Sequence, residues 1–289
     1  MDRTTILTMT RERTWALTAI SAALFIVLSL VFAEGLFTAP LWNGDDWPSS
    51  PPITYVFILV IVLAGWYQAR GIPEGGIPLR VENTLTPGQV IDPVGWRLLI
   101  GNVYFALIWL PLRLFVGREW FIEGARKVTN PEWMDSGAAL RGFWEQAVVV
   151  PEGERPPITY AWFRDFLQYM LDNGWYTWFA KLIVWSEILV ALGLILGGLV
   201  GVAAFVGGFM NWNYMLAGSA STNPVLFPLS VFLVLAWTVA GYWGLDRWLL
   251  PALGTRWARA KEQVEAVSAV AERETDTKGT RAEPRPGAP

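Results

Sequence analysis

The chain has 289 residues, a formal net charge of −3, only 16% charged residues and 53% hydrophobic ones, with a mean hydropathy of +0.36. Low charge combined with long apolar runs is the composition of a membrane protein, and no basic stripe points to nucleic acid. With no Cys and no His, the chain offers no disulfide, no thiol nucleophile and no Cys- or His-ligated zinc, haem or iron–sulfur centre, so neither metal nor haem is expected.

A helix needs about 20 apolar residues to cross the hydrocarbon layer. Six stretches qualify as candidate spans. The first is Trp15–Phe37. It is long enough to span, and no small-residue cleavage pattern follows it, so it is expected to remain as a helix and not to be removed as a signal peptide. The second is Ile53–Ala69, at the short end of the range. The third lies within Arg97–Ile122, centred near Arg113. The fourth, Trp178–Leu196, and the fifth, Val200–Leu216, are nearly continuous, and Gly197-Gly198 marks the turn between them. The sixth is Leu226–Trp243. The 18 Trp fit a multispan protein, because amphipathic aromatics collect at bilayer interfaces.

Short loops that carry Lys and Arg stay inside. Arg3, Arg11 and Arg13 precede the first span, and loop Thr38–Pro52 has Asp45 and Asp46 but no Lys or Arg. Loop Arg70–Trp96 has Arg70 and Arg80. Arg247, Arg256, Arg259 and Lys261 follow the sixth span. The expected topology is therefore a multi-pass protein of the cell membrane, surrounded by lipid, with both termini cytoplasmic. Within the outer loop, a Pro156-Pro157 break precedes Ile158–Leu171, which reads as a short amphipathic helix. The tail from Ala266 is rich in Glu, Arg, Thr, Pro and Gly and is expected to be disordered. The chain divides into residues 1–95, residues 96–251 with outer loop 128–177, and tail residues 252–289.

Polar groups inside the spans carry the functional signal. A charge at the bilayer centre costs roughly 3 kcal/mol or more, so such groups usually face protein and pair. Arg113 in the third span and Glu187 in the fourth are expected at similar depth on antiparallel helices. A salt bridge between them would either fix helix register or form a proton or ligand site. Glu119 and Glu123, four residues apart, share a helix face, and Arg118, Arg126 and Lys127 lie beside them. In the stretch Asn211–Pro224, Asn211, Asn213, Ser219, Ser221 and Asn223 crowd the outer end of the fifth span. Irregular polar backbone at membrane depth is tolerated where it is buried in protein or lines a cavity. One reading is a polar outward-facing recess shared with Glu119 and Glu123. The other is a tight turn whose amides and hydroxyls cap two helix ends, with Asn223 before Pro224 as the cap. Gly193, Gly197 and Gly201, followed by Gly207-Gly208, suit close helix packing in lipid.

The pattern Arg113-x3-Gly117-x6-Gly124-x2-Lys127, then Asn130-Pro-x-Trp133, resembles the first core helix of the DoxX/DoxD family. Glu187-x5-Gly193 is similar to its second. Asn211–Phe227, followed by Ala240–Trp248, resembles its third and fourth. The resemblance covers roughly Trp96 to Pro251, and Met1–Gly95 with two further spans departs from the minimal form.

The resemblance implies an all-α polytopic bundle: a four-helix membrane core plus two N-terminal helices. The family includes the large, quinone-linked subunit of thiosulfate:quinone oxidoreductase. Its fold is also similar to that of quinone-reducing vitamin K epoxide reductases, whose cysteine relay is excluded here. Family membership informs fold better than chemistry. The implied function is a quinone-linked membrane subunit of an oxidoreductase, with thiosulfate as a candidate substrate. Quinone is the expected cofactor, and electrons arrive from the substrate or from a partner oxidoreductase subunit. Glu119, Glu123 and Glu187 would relay protons. Arg113, Arg118, Arg126, Lys127 and the polar residues of the Asn211–Asn223 stretch would bind substrate. The alternatives are a non-enzymatic membrane anchor or assembly subunit, and a small-solute transporter.

Overall fold

The computed structural model describes residues 3–32, 51–82, 88, 90–153, 155–255 and 257. Most of loop Thr38–Pro52, the end of the expected first span and the tail from Ala266 lie outside them. The chain is mostly helical. Strand β1 (Arg3–Met9) leads into α1 (Arg11–Phe32), and α2 (Pro51–Arg70) into β2 (Ile77–Glu82). The two strands pair antiparallel, Arg3 opposite Glu82 and Met9 opposite Ile77. This two-stranded sheet has no counterpart in the hydropathy reading, because its strands are short and Met9 and Ile77 are 68 positions apart.

Among the described residues, three helices are long and apolar enough to cross a membrane: α1, α2 and α8 (Tyr176–Leu196). A fourth candidate is a bent pair, Val94–Gly101 (α3) with Val103–Val128, broken by 76°. The expected third span over Arg97–Ile122 is therefore not one straight helix. The break falls at Asn102, which has extended backbone and whose Oδ1 accepts from the Tyr104 N–H at 3.0 Å, capping a short 3-10 turn. Helix α4 then runs from Ala106 to Val128. The outer faces of α1, α2 and α8 carry exposed Leu30, Val31, Leu63 and Leu189, the pattern of a lipid-facing surface, whereas α4 is mostly buried among them. Helices α9 (Val200–Leu216) and α10 (Asn223–Leu235) are apolar but shorter, at 17 and 13 residues, so six spans are not established by length.

Close packing of α4 on α8 organises the bundle. Gly117 and Gly124, seven residues apart on one face, meet Leu194 and Ile195, and Ile188 and Glu187, respectively. A Cβ on Gly117 would come within 3.2 Å of the Ile195 backbone N, so glycine sets this antiparallel register. Helix α1 turns small polar residues inward. Thr18 packs against Gly65 of α2, and Ser21 Oγ donates to the Leu107 carbonyl of α4 at 2.8 Å.

The turn from α8 to α9 falls at Gly197-Gly198, as the sequence predicts. Gly197 is left-handed (φ +69°), and the Gly198 N–H donates to the Gly193 carbonyl at 2.9 Å, a helix C-cap geometry that favours Gly. The spaced glycines do not form one stripe. Gly193 meets Ala203, Gly201 meets Trp237, and Gly207 meets Trp120 and Val190.

Between α4 and α8 the chain folds α5 (Pro131–Met134), α6 (Ala138–Val148) and α7 (Ala161–Asp172). The amphipathic segment expected at Ile158–Leu171 is α7, whose Phe163, Leu167 and Met170 face a second core with Leu140 and Trp144 of α6. After α10 come α11 (Trp237–Ala240) and α12 (Asp246–Ala252).

Candidate functional site

Glu187 is the centre of the polar site, and its partner is Lys127, not Arg113. Lys127 Nζ lies 2.6 Å from Glu187 Oε1, and the Tyr214 hydroxyl donates to the same oxygen at 3.0 Å. The reason is register. Glu187 packs opposite Gly124, and Arg113 lies eleven residues earlier on α4, about 16 Å along the axis. The break at Asn102 also places Arg113 in the first third of α4 and not at its middle.

Arg113 instead sits at the opposite end of the bundle. It is 1% exposed, its Nη2 donates to the Trp243 carbonyl at 2.9 Å, and its guanidinium packs against Gly197 and Gly244. Asp246 lies beside it and accepts the Leu199 and Val200 N–H groups at 2.6 and 3.0 Å. A side chain from α12 thus caps the start of α9 across 47 residues, satisfying two of the donors that every helix start leaves open.

The Glu187 side of the bundle contains a recess of about 230 Å³, lined by Glu119, Glu123, Lys127, Glu187, Asn211 and Tyr214, among others. Ser219, Ser221 and Asn223 also line it. The structure therefore brings together eight of the residues singled out from the sequence. Lys127 also stands 5.0 Å from the Trp133 ring and 5.7 Å from that of Tyr214, so aromatic faces and carboxylates share its charge. Glu123 is half exposed and lies 3.9 Å from Lys127 and 3.6 Å from Arg126.

Four other expectations are corrected. Arg118 is 2% exposed and bonded to Glu119 at 2.8 Å; it does not line the recess. Arg126 points outward and is half exposed. Asn213 lies two residues from Asn211 and therefore on the far side of α9. It borders a separate apolar cavity, and its Nδ2 donates to the Phe209 carbonyl at 2.8 Å. Asn223 is not the cap of α10. Thr222 holds that position, and Asn223 Nδ2 donates back to the Ser219 carbonyl at 3.3 Å. Ser221, in the recess lining, has a left-handed backbone with φ +40°, a conformation that costs a non-glycine residue and is found disproportionately at ligand sites.

The recess walls hold polar atoms without protein partners. Glu187 Oε2, both side-chain polar atoms of Asn211 and the indole Nε1 of Trp120 are buried and make no hydrogen bond to the described residues. Glu187 and Asn211 are 0% exposed and Trp120 is 3%. Buried polar groups in native proteins are almost always satisfied, so a cluster of such atoms around a recess calls for a partner that the described residues do not supply, such as a ligand or ordered water. Together they supply three N–H donors, one from Trp120 and two from the Asn211 amide, and two acceptor atoms, the Asn211 carbonyl oxygen and the free Glu187 oxygen. Trp120 and Tyr214 escaped the sequence reading because each looks like one of many interfacial aromatics. Their neighbours on α4 and α9, Glu123 and Asn211, were the available signal.

Among the described residues no group of three or more carboxylates could hold a metal ion. In comparisons with protein families, curated proteins and solved structures, the chain matches none.

Proposed function

We propose that this chain binds the head group of a membrane quinone in the Glu187 recess and acts as the quinone-linked membrane subunit of an oxidoreductase. The observation that carries the reading is the convergence of unpartnered Glu187 Oε2, Asn211 and Trp120 atoms on one recess beside Lys127, inside a bundle with membrane-length helices. Their chemistry fits the group. The Trp120 indole N–H, the Asn211 amide and the Lys127 ammonium suit a carbonyl oxygen, and Glu187 Oε2 suits a hydroxyl. When bound, a quinone takes up two electrons and two protons as it becomes a quinol, and the electrons come from a partner oxidoreductase subunit. The Glu187 carboxylate takes up a proton at Oε2 and passes it on, Tyr214 and Lys127 fix its orientation through Oε1, and half-exposed Glu123 connects the recess to water. The resemblance to the DoxX/DoxD family supports the same reading, with α4, α8, α9 and the α10–α11 pair as the four-helix core. On this reading there are six spans in the cell membrane, both termini are cytoplasmic, and the recess faces outward.

Thiosulfate fits this recess poorly. Three carboxylates and a single Lys line it, and Arg118 and Arg126 are turned elsewhere, so a small dianion would meet repulsion. If thiosulfate is the electron source, it acts at a partner subunit.

The test is binding and reduction of a short-chain quinone by protein in liposomes, with and without its co-purifying partners. Binding that is lost in folded Glu187→Gln and Asn211→Ala variants supports the proposal. Failure of the native protein to bind or reduce the quinone in either setting rules it out and leaves a membrane anchor with a structural recess.

A further inference from the structure

Behind the polar recess lies a second cavity of about 470 Å³, walled by α6, α7, α8 and α9. Its lining is apolar and aromatic, with Leu140, Trp144, Phe163 and Met170 buried. The two cavities share two residues, Phe143 and Tyr214. Tyr214 presents its ring to the apolar side and its hydroxyl to Glu187. The mouth of the apolar cavity is framed by Trp162, Phe166, Phe209 and Trp212, which are 64%, 46%, 60% and 48% exposed. The same α9 surface continues into the exposed residues Val202 and Phe205, so the mouth opens on the bilayer-facing side.

We infer that the apolar cavity is the seat of a hydrocarbon chain, and that the site takes a tailed membrane amphiphile which enters laterally from the lipid between α7 and α9. This rests on the quinone reading of the recess and extends it, for it assigns the tail of the same molecule to residues outside the polar site. Close packing of α7 on α9 would bring these aromatic side chains into contact; instead they stay apart around a half-open groove. An apolar, aromatic-lined groove matches an apolar ligand. The shared Tyr214 wall makes occupancy of the cavity and the position of the Glu187 carboxyl mechanically dependent: a chain pressing on the ring displaces the hydroxyl that orients Oε1. Tyr214 is a positioning residue for Glu187 in this arrangement.

The experiment is photolabelling of the full chain in phosphatidylcholine–phosphatidylglycerol vesicles with two quinone probes. One carries a diazirine on the head group, and the other carries it at the end of a ten-carbon chain. Labelled peptides are then mapped by mass spectrometry. The head probe is expected on the segments around Trp120, Glu187 and Asn211. The chain-end probe is expected on 161–172 and 209–217, reduced about tenfold or more by excess unlabelled tailed quinone and little by a tailless one, because the chain supplies the apolar contact. Chain-end labelling spread evenly over lipid-facing α1, α2 and α8, with the head probe still in the recess, overturns this inference and leaves the quinone reading intact. Failure of both probes to label above background overturns both. Ala217→Phe, which narrows the cavity away from the recess, is expected to abolish the chain-end labelling and preserve the head labelling. Unchanged chain-end labelling in that variant also counts against the assignment.

Discussion

Glu187 is a wholly buried carboxylate held by one ammonium and one phenol. Removing one partner of a buried pair leaves an uncompensated charge, which costs about 3–5 kcal/mol. Lys127→Ala is therefore expected to lower the unfolding free energy by about 3 kcal/mol. Adding Glu187→Gln to it should recover most of that loss, because the orphaned charge is gone. Denaturant unfolding in detergent micelles, followed by circular dichroism, checks the cycle, and simple additivity of the two changes would refute a coupled pair. At the other end of the bundle, Asp246 caps α9. Asp246→Ala should cost about 1–2 kcal/mol in the same assay, and Asp246→Asn, which keeps an acceptor, should cost less. Equal losses would mean that its charge beside Arg113 matters more than the cap. Neither partnership is legible locally. Glu187 and Lys127 are 60 positions apart, and Asp246 and Leu199 are 47 apart. A charge in an apolar run announces that it needs a partner without saying which one.

The helices themselves were readable as elements. The apolar runs expected at Ile53–Ala69, Trp178–Leu196 and Val200–Leu216 match α2, α8 and α9 to within two residues at each end. Intrahelical hydrogen bonds and side-chain hydropathy are both local, so the chain itself marks where such helices run. How two helices meet depends on side-chain shape, and glycine position decides it. Gly117→Ala places a methyl group 3.2 Å from a backbone nitrogen of α8 and is expected to destabilise by about 1–3 kcal/mol through overpacking. Gly142→Ala lies mid-helix in α6, where a Cβ meets nothing within 4 Å. It should stabilise by about 0.5–1 kcal/mol, because alanine loses less backbone entropy in a helix. Opposite signs in thermal unfolding confirm the α4–α8 register, whereas two stabilising changes would contradict it. Element boundaries were least legible where polar residues interrupt apolar ones. Asn102 splits a run that hydropathy reads as continuous, and Asn223 begins α10 one residue inside its cap.

Over the whole molecule, the bundle has two chemically distinct ends. The β1–β2 sheet packs with Leu98 of α3 in one small core, and Arg113 and Asp246 belong to the same end. The recess and the α5–α7 segment lie at the other. The proposed orientation puts the β-sheet end inside the cell. Since the chain has no Cys, single introduced cysteines report without background. In intact cells, Gln146→Cys is expected to react with a membrane-impermeant maleimide, and Glu74→Cys is expected to react only after permeabilisation. The reverse pattern would invert the orientation, and labelling of both from one side would contradict a spanning bundle. The recess itself was half legible. The polar stretch Asn211–Asn223 and the Glu119–Lys127 segment do meet in space, as their density of polar groups at the end of an apolar run implied.

The sequence by itself determined that this is a helical chain with membrane-length segments, where most of those helices run, and that the Asn211–Asn223 stretch needed a polar surrounding. Each of these follows from properties summed over neighbouring residues, such as hydropathy, turn chemistry and the cost of polar groups in lipid. The tertiary structure alone decided that Glu187 bonds Lys127 and not Arg113, that Asp246 caps a helix from the far side of the chain, that Trp120 and Tyr214 wall the recess, and that α6 and α7 close an apolar cavity beside it. Those outcomes depend on the depth at which two antiparallel helices stop sliding past each other. That depth is set by contacts between residues 60 or more positions apart, chiefly Gly117 and Gly124 against α8.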